Sequence, residues 1–209
     1  MKYLYRTVNA LLAAAVFPAT LFLEFIFIKI ATTVADAGLK ESMSLWEILE
    51  ILAGKETFVG FDLSASSGNL SWPKALDPVK GTLIAVVVFF ALALVCALFV
   101  FFWSIFSNKR IPIIISSVLG IASVITMTAL FNSVAELFVN GQINVVDLFA
   151  DGLIASIIGN FVVIHSLALG GFQNGIIIAF VLILVWTGAY YLVELGEPKE
   201  EKNTKIKKH

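Results

Sequence analysis

Six polar residues stand in otherwise apolar stretches and are the ones that could do chemistry: Glu24, Lys29, Asn132, Glu136, Asn160 and His165. Placing a charge among apolar groups is costly, so such residues in a membrane segment point to an ion, a proton or a ligand. Asn132 and Glu136 are four apart and share one helix face. His165 carries an imidazole of the kind that titrates near neutral pH. Glu24 and Glu136 form a carboxylate pair of the type acid–base catalysis uses, but nothing in the sequence positions a substrate between them. The plainer reading is that these six are helix ends reaching the headgroups. Glu24 and Lys29 then neutralise one another, and His165 is a packing or hydrogen-bonding residue.

Signatures of enzyme chemistry are missing. The chain has no HExxH, no P-loop and no GxSxG. Its histidines are His165 and His209 alone, which excludes a His-rich metal site, and Cys96 is a lone cysteine with no internal disulfide partner. The expectation is a non-enzymatic protein without a cofactor, with Cys96 acting as a small buried hydrophobe.

The elements that carry these residues follow from composition. Of 209 residues, 59% are hydrophobic and 14% charged, whereas soluble domains are about 45–50% apolar and about 25% charged. A soluble chain of this size could not hide so much apolar surface. The net charge of −1 excludes a broad cationic face for nucleic acid. An all-α integral membrane protein is expected, a bundle of four transmembrane helices in a single membrane domain over 1–195. The spans are read at 8–34, with Pro18 kinking it, and at 81–106, 111–137 and 175–195. Lys2 and Arg6 before Ala10–Phe17 resemble a signal peptide, but the apolar run continues to Ile30, so an uncleaved first span is expected.

Orientation follows the basic residues. Lys2, Arg6, Lys109, Arg110 and the five lysines of the 196–209 tail make up nine of the 14 Lys and Arg residues. Four crossings put all of them on one side, giving cytoplasmic N- and C-termini in a bacterial cytoplasmic membrane. The outer loop 35–80 has seven acids against four lysines. Tyr3, Tyr5, Trp103, Tyr190 and Tyr191 then fall near the inner membrane surface. Five crossings would carry the Lys-rich tail outside. The softened apolar segment 153–169 is therefore expected as an interfacial or re-entrant helix packed on the bundle before the last span. In this frame Asn132 is about 31 Å from the start of its span at Ile111, near the far boundary of a hydrocarbon core about 30 Å thick. The six polar residues would form a layer near the outer leaflet.

Ser44-Leu45-Trp46-Glu47 reads as a capping box opening a short amphipathic outer helix, with Leu45, Ile48, Leu49 and Leu52 on one face and Gly54 as its stop. A short strand is expected near 57–61. Asn69-Leu70-Ser71 matches a glycosylation sequon, and the last five residues have the spacing of a dilysine tail; both patterns are short. Ser116, Gly120 and Ser123, with Ala93 and Ala97 on the preceding span, are small residues that let helices approach closely, within the chain or in a homo-oligomer.

In size and four-span layout the chain resembles four-span membrane components of bacterial defence systems, and also bacteriocin immunity proteins. The likeness is one of topology alone. Independently of it, the membrane spans, the lack of a catalytic set and the charged segments of opposite sign on opposite sides lead to the expectation of a subunit or scaffold in membrane lipid, homo-oligomeric through its small-residue faces, with a protein partner at the tail or the acidic outer loop. The alternative expectation is a small ion channel or pore-forming effector lined by Asn132, Glu136 and Asn160. A transporter is a further one, weakened by the lack of an inverted repeat.

Overall fold

The structure, a computed structural model, describes residues 2–32, 35–52, 74–143 and 162–196. Four long helices dominate it: α1 (Lys2–Phe22), α3 (Lys80–Phe106), α4 (Arg110–Val139) and α5 (Phe172–Gly196). All four are long and apolar enough to cross a membrane. A short helix α2 (Leu45–Leu52) and three strands, β1 (Glu24–Thr32), β2 (Ala35–Ser44) and β3 (Val162–Leu169), complete the described elements, with a 3-10 turn at Lys74–Val79 leading into α3.

The helices form a ring in which α1 packs on α3 and α5, and α4 packs on the same two. Neighbours run antiparallel. The Arg6 side chain donates to the carbonyls of Ser104 and Ile105, tying the start of α1 to the end of α3. The start of α4 is tied to the end of α5 by an Arg110–Glu194 ion pair. The first residues of α1, the α3–α4 turn and the end of α5 therefore gather at one basic end. The interior is filled by Ala93, Ala97, Val100, Val124, Met127, Phe180 and Ile183, all essentially inaccessible. The apolar residues of the outward faces are exposed instead, with Val87, Ile115 and Val185 each more than 60% accessible. Long apolar faces turned outward on every helix are the pattern of a bundle solvated by lipid.

Local signals explain the element ends. Lys109 precedes the first turn of α4, and Pro112 sits within that turn, where a missing N–H costs nothing. The last turn of α4 closes as a Schellman motif. Gly141 adopts φ +70°, its N–H donates to the Phe138 carbonyl, and the Gln142 N–H donates to the Leu137 carbonyl. The Ser44 capping box forms as expected. The Glu47 N–H donates to Ser44 Oγ at 3.2 Å, and the Ser44 N–H donates to Glu47 Oε2 at 2.6 Å.

Three expectations are corrected. The fold is not all-α, because β2, β1 and β3 form an antiparallel sheet in that order. The first span does not run to 34: α1 starts at Lys2 and ends at Phe22, and the apolar continuation is strand β1. The segment expected as an interfacial or re-entrant helix is a strand over Val162–Leu169, its earlier part lying outside the described residues. The physical reason is composition. Glu24–Thr32 and Val162–Leu169 are rich in Ile, Val and Phe, which prefer a pleated ladder. Each also finds its partner in the other, Ile26 facing Leu169 and Ile28 facing Leu167. The expected strand near 57–61, the stop at Gly54, the sequon and the dilysine tail lie outside the described residues.

The sheet caps the end of the bundle opposite the basic turn. Phe25 stacks on Phe172 at 4.4 Å and meets Phe90 edge-on at 5.6 Å, plugging β1 into the bundle. Gly170 carries β3 into α5 at a point where a Cβ would collide with the backbone carbonyl of Glu24.

Candidate functional site

The sheet end collects the described members of the polar set. Asn132 and Glu136 sit one turn apart on the last third of α4, both exposed. β3 packs on that stretch of helix. In the β1–β3 ladder Lys29 faces Ser166 and Ile30 faces Ile164, so His165 is the extra residue of a β-bulge. A bulge re-aims a side chain that regular pairing would hold in the ladder. His165 is exposed, and it borders a cleft of about 280 Å³ together with Asn132, Ala135, Glu136, Val139, Asn140, Ser166 and Leu167.

Amide, carboxylate and imidazole are thus brought to one open depression by two elements that lie far apart in sequence. None of the three is hydrogen-bonded or ion-paired to another described residue. Glu24 and Lys29 lie at the same end but on β1, outside any helix. Glu24 is exposed, and half-buried Lys29 stands opposite Ser166 on one side and Lys40 on the other. No Glu24–Lys29 ion pair occurs among the described residues, and Asn160 lies outside them. No group of three His, Cys, Asp or Glu residues suited to a metal ion occurs among the described residues.

A second polar set, unread in the sequence, lies inside the bundle near the basic end. Tyr5 stacks on Tyr190 at 4.4 Å and is fully buried. Thr187 and Asn9 lie beside its hydroxyl. Asn9, Ser104, Ser117 and Thr187 are all buried, and their side-chain polar atoms, like the Tyr5 hydroxyl, have no hydrogen-bond partner among the described residues. All four long helices contribute to this set. Spacing could have signalled part of it: Tyr5 and Asn9 are four apart, and Thr187 and Tyr190 three apart, each pair on one helix face. Next to it, Arg110 lies 5.0 Å from the Tyr190 ring centre and 5.2 Å from that of Tyr191, in cation–π range.

The chain matches no known protein family, no curated protein and no solved structure.

The small residues are used inside the chain. Gly120 is buried, and a Cβ there would stand 2.5 Å from the Phe180 ring of α5, so the glycine admits that ring. Ser123 is buried and its hydroxyl donates to the Leu119 carbonyl at 2.7 Å. Ala93 and Ala97 face the core of the bundle, buried Cys96 lies beside them, and Ser116 is half-buried. Near the sheet end Thr128 donates to Gln173, a polar tie between α4 and α5.

Proposed function

We propose that the chain is a non-enzymatic multi-pass membrane subunit that works by engaging a partner protein at the sheet end of its bundle. The observation that carries this is the Asn132–Glu136–His165 cleft. Its three polar groups are exposed and have no partner among the described residues, and they stand where the chain leaves its apolar spans. Groups so placed are available for hydrogen bonds and charge pairing with another surface. A solvent-open depression of this size does not exclude water as an active site does. The filled interior also supports a structural role, because the apolar core closes the axis of a single bundle. The acidic outer loop reinforces the reading, since β2 within it terminates the sheet among the described elements, and an edge strand can take up a partner strand. The tail 196–209 is the second place for a partner, and self-association in a cytoplasmic membrane, termini inside, belongs to the same proposal.

The test is the mass of the tagged protein purified gently from its native membrane, for the wild type, Glu136→Arg, His165→Ala, and a chain ending at residue 196. A complex heavier than one chain is expected, and Glu136→Arg should dissociate it while thermal unfolding stays unchanged. A lone monomer in every preparation would overturn the proposal.

A small channel is the second reading. Asn132 and Glu136 lie on the outward surface of α4, where only an oligomer could arrange them round a common water-filled axis. Reconstituted bilayers would then conduct, and Glu136→Gln would change ion selectivity. Silence in both would exclude it.

A further inference from the structure

The outward face of α4 differs in composition from that of its neighbour. Every exposed residue of α3 from Ile84 to Phe102 is apolar, as suits a surface that meets lipid. On α4, Val118, Ala122, Ile125, Ala129, Asn132 and Glu136 follow one another in steps of four and three, and all six are exposed. That spacing makes a heptad seam, the stripe by which one helix packs along another. The stripe faces away from the bundle, because Gly120, Val124, Met127 and Phe131, which pack inside, lie on the opposite side of the helix. Ala122 and Ala129 are seven apart and carry so little side chain that a second backbone can come close. Asn132 and Glu136 end the stripe with polar groups that have no partner among the described residues.

Symmetry states what such a stripe accepts. Two copies inserted the same way in one membrane are parallel, and the closed pair they form has its two-fold axis along the membrane normal. Each residue of the stripe then meets its counterpart at equal depth. An amide carries both donors and an acceptor, so Asn132 complements itself across the axis. A carboxylate does not, and Glu136 needs a donor from the other copy. His165 borders the same cleft, exposed at the bulge of β3. β3 packs on α4 yet leaves Asn132 and Glu136 exposed, so it flanks the stripe without covering it. The axis uses the charged contact twice: Glu136 of each copy accepts from the His165 imidazole of the other. Polar groups left over in one chain are complete in two.

We propose that this stripe of α4 is a homodimer seam. Ala122 and Ala129 mark the close approach of the two helices, Asn132 bonds to Asn132 of the second copy, and Glu136 bonds to the second copy's His165. One polar position in an otherwise apolar seam fixes register and number, which here means two chains in register. Gly120 and Ser123, spent inside the bundle, play no part in it. The assignment rests on the reading above that the cleft engages a partner, and it makes that partner a second copy of this chain.

The test is disulfide cross-linking of the full chain in its native membrane, with single cysteines added to the wild type, whose lone Cys96 is buried and serves as the control. A disulfide needs Cα atoms within about 7 Å of each other, which two copies of a residue reach only on the seam. Oxidation with copper phenanthroline should link Ala122→Cys and Ala129→Cys into a dimer of the chain. Ala91→Cys on α3 and Ala189→Cys on α5, at exposed alanines of other outward faces, should stay monomeric. The charged pair is then exchanged. Glu136→His and His165→Glu singly should each lower the cross-linking of Ala129→Cys by about fivefold, the effect of losing an interhelical polar contact. The double exchange should restore it, and thermal unfolding in detergent should be unchanged in all three. Asn132→Leu should lower cross-linking likewise. Equal cross-linking at Ala91 or Ala189, or a double exchange no better than the single ones, would overturn the proposal. A purified complex that holds a different protein, with no cross-link at Ala122 or Ala129, refutes the second copy and leaves the partner cleft standing. A monomer in every preparation refutes both.

Discussion

Single residues decide how closely this bundle packs. Gly120 lies under the Phe180 ring, which is itself fully buried and has no room to swing away. Gly120→Ala should therefore destabilise the protein by about 1–3 kcal/mol, the usual cost of overpacking a filled core. Thermal unfolding in detergent measures it, and the loss should shrink when Phe180→Leu is combined with it. Asn9 gives the opposite expectation. Its amide is fully buried with no partner among the described residues, and an unpaired polar group of this kind costs about 1–3 kcal/mol. Asn9→Leu, close in volume, should leave the melting temperature unchanged or raise it. A marked fall would mean that the amide is held by the Tyr5 hydroxyl beside it.

Elements meet at a few covalent and steric hinges, of which Gly170 is the most constrained. It joins β3 to α5, its N–H donates to the Phe25 carbonyl at 2.9 Å, and a side chain there has only the Glu24 backbone to displace. Gly170→Ala should cost about 3 kcal/mol or more, and the damage should be local. Hydrogen exchange should speed up in β1 and β3 while the middles of α3 and α4 stay protected. Uniform loss of protection would show that the sheet and the bundle fold as one unit. The same junction shows why these strands were hard to read. Leu23 to Ile30 continues the apolar run of α1 without a charge except Glu24 and Lys29, so hydropathy sees one long span. The alternation of Phe and Ile in Glu24–Thr32 was the available signal, but the residues of its partner Val162–Leu169 lie 130 or more positions away from those they pair with. The capping box at Ser44 was legible because its two residues are three apart and bond only to each other.

At the scale of the whole molecule, antiparallel packing puts the α3–α4 turn and the end of α4 at opposite ends of the bundle. Cys96 is buried and is the only cysteine, which makes the chain a quiet background for labelling. Asn108→Cys and Asn140→Cys, both at exposed positions, should react with an impermeant thiol reagent from opposite sides of sealed vesicles. Reaction of both from one side would refute four crossings. Lys109 and Arg110 predict that Asn108→Cys is the one on the cytoplasmic face.

The sequence by itself determined that this chain carries four apolar helices able to span a membrane, roughly where three of them begin and end, and which turns are basic. Those are properties of contiguous segments: transfer into lipid sums over neighbouring residues, and helix caps act within a turn. Tertiary structure alone decided that the first span stops at Phe22, that a sheet closes one end, and that a bulge at His165 brings its imidazole to the cleft of Asn132 and Glu136. It alone decided that Asn9 and Thr187 stand beside the Tyr5 hydroxyl inside the bundle. Each of these depends on which distant residue fills the space opposite, Leu169 for Ile26 or Phe180 for Gly120, and no local pattern encodes that choice.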